Sequence, residues 1–245
     1  MVFTMNGKTV TVTGVATGKL DEYVFAFEGI APQCMGDVID AVLFDGENEI
    51  GAKEGFTVEA YLQQLLKGNY GDAVRELAIK TLYYGGAAQW YQNYNTDNVV
   101  SDHIDVSDSY HYDIPMDSDA EVFNGEGVTF TAASVYFDNV NRIRVKFTAE
   151  DFEDLIIMID GEVVDYQLGA DGKYYVMTDA IYASQFAQLH QIEAYANGEL
   201  VSYLSYSVNS YIISKANSEN AYLAELVQAL YDYGMAASNY FNGAK

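Results

Sequence analysis

The residues of this 245-residue chain with chemistry to offer are three histidines, one cysteine and 36 Asp+Glu. His103, His111 and His190 stand at no spacing that joins them to a nucleophile or a metal ligand, and an isolated histidine is most often structural or solvated. Gly-x-Ser-x-Gly, His-Glu-x-x-His and Walker-type loops are absent from the sequence. Cys34 alone forms no internal disulfide and belongs to no zinc spacing, so it reads as a small buried hydrophobe. Two carboxylates roughly 5–10 Å apart would suit glycoside hydrolysis, but among so many acids some pair always meets that separation. The run Asp117-Ser118-Asp119-Ala120-Glu121 starts like a calcium loop, yet Val122 at the sixth position and Val128 at the twelfth exclude an EF-hand. The expectation is a chain without catalytic residues or a bound cofactor, calcium at an irregular loop being the one ion left open.

Aromatic side chains are the stronger signal. There are 22 Tyr, 12 Phe and 1 Trp, and so many tyrosines cannot all be core because each buried hydroxyl needs a partner. Tyr83, Trp90 and Tyr94 follow one another at steps of seven and four, which is one face of a helix. Gln89, Gln92, Asn93 and Asn95 border them. Flat rings contact the C–H faces of sugars and side-chain amides bind hydroxyls, so Trp90, Tyr83, Tyr94, Gln89 and Asn93 compose a candidate carbohydrate site. Tyr110 and Tyr112, on either side of His111, form a second candidate platform. The competing use of the same stripe is packing, since tryptophan is mostly buried.

The elements that must position these residues occur twice. Glu22-Tyr23-Val24-Phe25-Ala26-Phe27 lines up with Lys173-Tyr174-Tyr175-Val176-Met177-Thr178, Phe56-Thr57-Val58 with Tyr206-Ser207-Val208, and Tyr84-Gly85 with Tyr233-Gly234, at an offset drifting only from 151 to 149. Each copy begins with period-two runs, such as Thr9–Thr13, Tyr23–Phe27 and residues 38–44, which predict half-buried strands. Asp160-Gly161 and Asn197-Gly198 predict hairpin turns. Each copy ends in helical spacing, over Asp72–Tyr94 with Asp72 as N-cap and over about Ser218–Phe241. The second copy has leading strands, Val128–Thr131 and Ile143–Phe147, with no counterpart after Met1. The predicted class is α+β: two tandem small antiparallel β-sandwich-like units, each followed by a packed C-terminal helix pair. Module A spans residues 1–95 and module B residues 127–245. Residues 96–126 form an acidic Asn/Ser/Asp linker that donates an edge strand around Val106–Ile114.

Residues shared by both copies serve the shared fold: Tyr61, Tyr84, Gly85, Ala88 and Tyr91, with Tyr211, Tyr233, Gly234, Ala237 and Tyr240 opposite them. Large residues present once, Tyr83 opposite Asp232 and Trp90 opposite Asn239, are the candidates for local function. The net charge of −24 repels phosphate and argues against nucleic acid and anionic membrane as partners. No apolar run spans a membrane and no signal-peptide core follows Met1, so the chain reads as a soluble, mature-like segment.

At Gly29-Ile30-Ala31-Pro32-Gln33-Cys34-Met35-Gly36-Asp37 and Leu82-Tyr83-Tyr84-Gly85-Gly86-Ala87-Ala88-Gln89-Trp90-Tyr91 the sequence resembles repeat modules of large secreted, often dockerin-bearing, surface proteins of anaerobic gut bacteria. The tandem arrangement is similar to the non-catalytic starch-adherence proteins of amylosome-forming bacteria. That resemblance implies an extracellular or cell-surface location and neighbouring modules of the same protein as partners. It further implies binding of a neutral polysaccharide, a starch-type α-glucan before a plant β-glucan. The alternative is a structural spacer or protein-interaction module of a surface adhesin or cellulosome component with no glycan ligand.

Overall fold

Two-residue turns with left-handed backbone set the registers of the sheets. Asn6-Gly7 (φ 53° and 72°) joins β1 (Val2–Met5) to β2 (Lys8–Thr11), and Met5 faces Lys8 across it. Both positions need positive φ, which asparagine and glycine tolerate and whose twist matches that of antiparallel strands. This is a computed structural model, which describes residues 1–104, 110–137, 140–150, 152 and 154–243. It is a mixed α+β chain in two compact units, residues 1–109 and 110–245.

In the first unit β1 and β2 are followed by β3 (Val15–Ala16), β4 (Tyr23–Val24), a 3-10 turn at Pro32–Cys34, β5 (Ile39–Asp45), β6 (Asn48–Phe56), α1 (Val58–Lys67) and α2 (Asp72–Gln92). The main sheet is antiparallel in the order β2-β1-β5-β6, and β3 pairs with β4 as a separate ribbon. Thr57 caps α1 by accepting from the Ala60 N–H at 2.9 Å. Gly71, not Asp72, is the N-cap of α2, and Asp72 takes the first helical position, where its charge still favours the helix dipole. Met35, Leu62, Ala78, Leu82 and Val100 form the buried cluster between the helices and the loops beside them.

Of the runs whose alternation predicts half-burial, β5 is buried or half-buried from Ile39 to Leu43 and Phe25 and Phe27 are half-buried, whereas Thr9–Thr11 are exposed. Every residue of β2, β4 and β6 is exposed; beside the main sheet the described residues of the unit supply only the two-stranded β3–β4 ribbon. Alternation specifies which side chains share a face, and a partner layer decides whether that face is dry.

In the second unit such a layer exists. The order is β7 (Glu121–Asn124), β8 (Val128–Phe137), β9 (Asn141–Ala149), β10 (Ile156–Ile159), β11 (Glu162–Val164), β12 (Gln167–Leu168), β13 (Tyr174–Met177), a 3-10 turn at Ala183–Gln185, β14 (His190–Ala196), β15 (Glu199–Tyr206), α3 (Val208–Lys215) and α4 (Ala221–Gly243). One antiparallel sheet runs β11-β10-β14-β15-β7 and the other β12-β13-β9-β8. Ile143, Val145 and Phe147 on β9 are fully buried, as are Ile157, Ile192 and Ala194 on the first sheet. Each such large side chain contributes about 1.5–3 kcal/mol by leaving water. The turns Asp160-Gly161 and Asn197-Gly198 have positive φ throughout and close the β10–β11 and β14–β15 hairpins.

The stretch read as a linker is largely anchored. Val99 and Val100 are buried in the first unit and Tyr112 bonds to α4 of the second. Its strand is β7 at Glu121–Asn124; residues 110–114 are not a strand, and Val106 lies outside the described residues.

Candidate functional site

The C-terminal end of α2 shows how the predicted aromatic stripe is used. Asn93 caps the helix in left-handed conformation (φ 51°), its N–H donating to the carbonyls of Gln89 and Trp90. The helix therefore ends before Tyr94, which leaves the face shared by Tyr83 and Trp90. Its hydroxyl donates to Asp37 Oδ2 at 2.6 Å, beside Asn6 Nδ2, which donates to the same oxygen at 2.7 Å. The hydrogen bond to Asp37, followed by burial, keeps the Tyr94 hydroxyl protonated well above its ordinary range.

Gln89 is buried and its amide is fully engaged. Its Oε1 accepts from the Val100 N–H at 2.9 Å, and its Nε2 donates to the Asn98 carbonyl at 3.1 Å and the Asn95 carbonyl at 3.4 Å. Gly85 and Gly86 let this returning segment lie against the helix. A Cβ on Gly86 would collide with Ser101 Oγ, and one on Gly85 would stand 2.9 Å from Val100 Cγ2. Of the five residues predicted to form one sugar platform, Gln89, Asn93 and Tyr94 thus hold the fold. Tyr83 and Trp90 remain on the helix, Tyr83 half-buried with Lys80 Nζ 5.9 Å from its ring centre and Trp90 40% exposed.

Tyr110 and Tyr112 do pair in the second unit. Their rings meet edge to face at 5.1 Å and the Tyr110 hydroxyl donates to that of Tyr112 at 3.0 Å. This short strap is fastened to α4 through Asp232, whose carboxylate is fully buried. Asp232 receives the Tyr112 N–H at 2.9 Å, lies 2.7 Å from His111 Nδ1 and accepts from Gln228 Nε2 at 3.0 Å. Gln228 donates as well to the Tyr112 carbonyl, and Asn239 Nδ2 to the Tyr112 hydroxyl, both at 2.9 Å. Tyr110 itself is 54% exposed. Sequence reasoning set Asp232 aside as the residue opposite Tyr83. The available signal was its place among Val227, Leu230, Tyr231 and Ala236, an acid inside a buried helical face.

All three histidines face carboxylates: His103 faces Glu59 at 2.7 Å, His111 faces Asp232 and His190 faces Asp160 at 2.6 Å. These are the orienting contacts of structural imidazoles. Cys34 sits at the 3-10 turn beside Asp37. Burial, then the hydrogen bond and charge of Asp37, push its thiol up to about 11. Its thiolate fraction at pH 8 is then about 100-fold below that of a thiol at the usual value of 9.0, each unit being tenfold. Reaction with a disulfide reagent at pH 8 is expected to be about tenfold slower than that of a free cysteine peptide, as timed by thiolate release, because the more basic thiolate is also the stronger nucleophile.

Among the described residues no three His, Cys, Asp or Glu side chains group closely enough to hold a metal ion. No described helix is long and apolar enough to cross a membrane. The first unit has a groove of about 780 Å³ between its main sheet and the β3–β4 ribbon, lined by Val2, Val12, Tyr23, Phe25, Leu43 and Ile50 among others. No family model, curated protein or solved structure matches the chain.

Proposed function

We propose that this chain is a non-catalytic pair of related modules from an extracellular or surface-attached bacterial protein. Its first unit acts as an interaction module, and the two units are copies of one small sandwich-like fold. The observation that carries this reading is a repeated topology with unequal cover. The order β2-β1-β5-β6 of the first unit repeats as β11-β10-β14-β15 in the second, and in each a 3-10 turn precedes the last hairpin and two helices follow it. The first unit nevertheless leaves Val10, Val15, Tyr23, Val24, Ile50 and Phe56 exposed. Tyr23 and Ile50 meet in the groove between the sheet and the β3–β4 ribbon, and exposed apolar surface gathered in one place marks interaction sites in soluble proteins. The intact chain is expected to enhance bis-ANS fluorescence, and Val24→Lys together with Ile50→Lys to remove most of that signal. No enhancement by the parent would count against an interaction surface.

A second reading, binding of a neutral polysaccharide with a starch-type α-glucan first, is favoured by the solvent-exposed rings of Trp90 and Tyr110. It loses support from Gln89, whose amide is spent on the turn after α2. Native affinity gels containing amylopectin, with a β-glucan lane, separate the two. The interaction reading predicts that the parent and Trp90→Ala run alike in every lane. Retardation of the parent by amylopectin that Trp90→Ala loses would establish the glycan site instead.

A further inference from the structure

We propose that the sheet of the first unit docks a β-hairpin supplied by another polypeptide, with Val, Ile and Phe alternating on its inner face and Arg or Lys on its outer face. The proposal rests on the interaction-module reading and names the partner of that surface. Matched positions in the second unit carry such a cover. There, β13 does not end its sheet: β9 pairs beside it, with Phe147 opposite Tyr174 and Val145 opposite Val176, and β8 pairs beyond β9. Phe147 stacks on Tyr174 with ring centres 5.5 Å apart. In the first unit Tyr23 and Phe25 hold the positions of Tyr174 and Val176, and both line the open groove. β4 pairs there with β3 alone among the described strands, so its other edge has donors and acceptors to offer.

The same contrast appears away from that edge. Tyr206, the last residue of β15, is 9% exposed, while Phe56, the last residue of β6, is 40% exposed. Tyr211 on α3 is 7% exposed and Phe137 of β8 meets its ring at 5.8 Å; Tyr61 on α1 is 50% exposed, with the Phe56 ring 6.5 Å away. β15 also has β7 on its far side, where β6 is an edge. Three surfaces of the first unit, the β4 edge, the sheet face and the flank of α1, are thus those that β8 and β9 cover in the second.

Charge narrows the partner. The first unit has 16 Asp+Glu against 6 Lys+Arg. In the second unit, three of its six basic residues, Arg142, Arg144 and Lys146, stand on β9 between the buried Ile143, Val145 and Phe147. Lys146 binds Asp171 at 2.7 Å and Arg144 lies over the Tyr136 ring. A strand with an apolar inner row and a basic outer row is therefore what this fold uses beside its acidic surroundings. Main-chain pairing would supply affinity, and the alternate side chains in the groove specificity.

The test repeats residues 121–155 ahead of Val2 in place of Met1, so that β7, β8 and β9 precede β1 as they precede β10. Amides of Asn48–Phe56 are expected to exchange at least about tenfold more slowly than in the parent, and bis-ANS fluorescence to fall. A separate peptide of residues 121–150 titrated into the intact chain keeps the proposal falsifiable if the extended chain misfolds. Saturable one-to-one binding, lost with Tyr23→Asp and Ile50→Asp in the chain or with Val145→Thr and Phe147→Thr in the peptide, supports it. No peptide binding together with unchanged exchange overturns the hairpin. Bis-ANS bound by the parent in that case leaves the interaction reading standing, and no bis-ANS bound removes both. A dimer in sedimentation that Ile50→Asp dissociates also overturns it, in favour of a second copy of the chain.

Discussion

Phe147→Ala is expected to destabilise the second unit by about 4 kcal/mol, in the range for removing a buried aromatic ring that the surroundings cannot close over. Phe147 is fully buried and contacts Phe130, Tyr166 and Tyr174 by ring packing, so it fastens the β8–β9 layer to both its own sheet and the strand beside it. Phe147→Leu, which keeps most of the volume, should cost well under half as much. Denaturant midpoints read from amides of β14 and β15 measure the loss. A change below about 1 kcal/mol would mean that the β8–β9 layer is not what keeps this unit's core dry.

The next largest effect is expected for Asp232→Ala. Its buried carboxylate holds the Tyr112 N–H, His111 and Gln228 together, and truncation removes the acceptor from these partly buried groups. The cost is about 3 kcal/mol, from one to two unsatisfied donors at roughly 1–3 kcal/mol each. Asp232→Asn, which keeps one acceptor oxygen, should cost less. A second readout is specific to the strap: residues 110–112 become rapidly cleaved or exchanged in Asp232→Ala. Unchanged protection there would show that the strap is held by other contacts.

Much of the fold is legible in the sequence because local rules decide it. Asp160-Gly161 and Asn197-Gly198 close hairpins since their backbone demands it, and the terminal helices follow from spacing. The candidate site is less legible because a tertiary partner decides each residue's role. Tyr83, Trp90 and Tyr94 share a helical face only if the helix continues, and Asn93 in left-handed conformation ends it one residue earlier. Gln89 has the composition of a sugar ligand and the job of a helix-to-loop clamp. Asp232 faces a strap 120 residues away in sequence, which no local pattern announces. The period-two runs of the first unit are the reverse case, since strand identity is local and burial is not.

One fold in both units, covered in the second and open in the first, makes matched hairpins differ in protection. Amide hydrogen exchange on the intact chain compares matched strands directly: β5 and β6 against β14 and β15. Asn48–Phe56 is expected to exchange at least about 100-fold faster than Glu199–Tyr206, since protection follows burial and contact density. Equal protection of the two hairpins would contradict it.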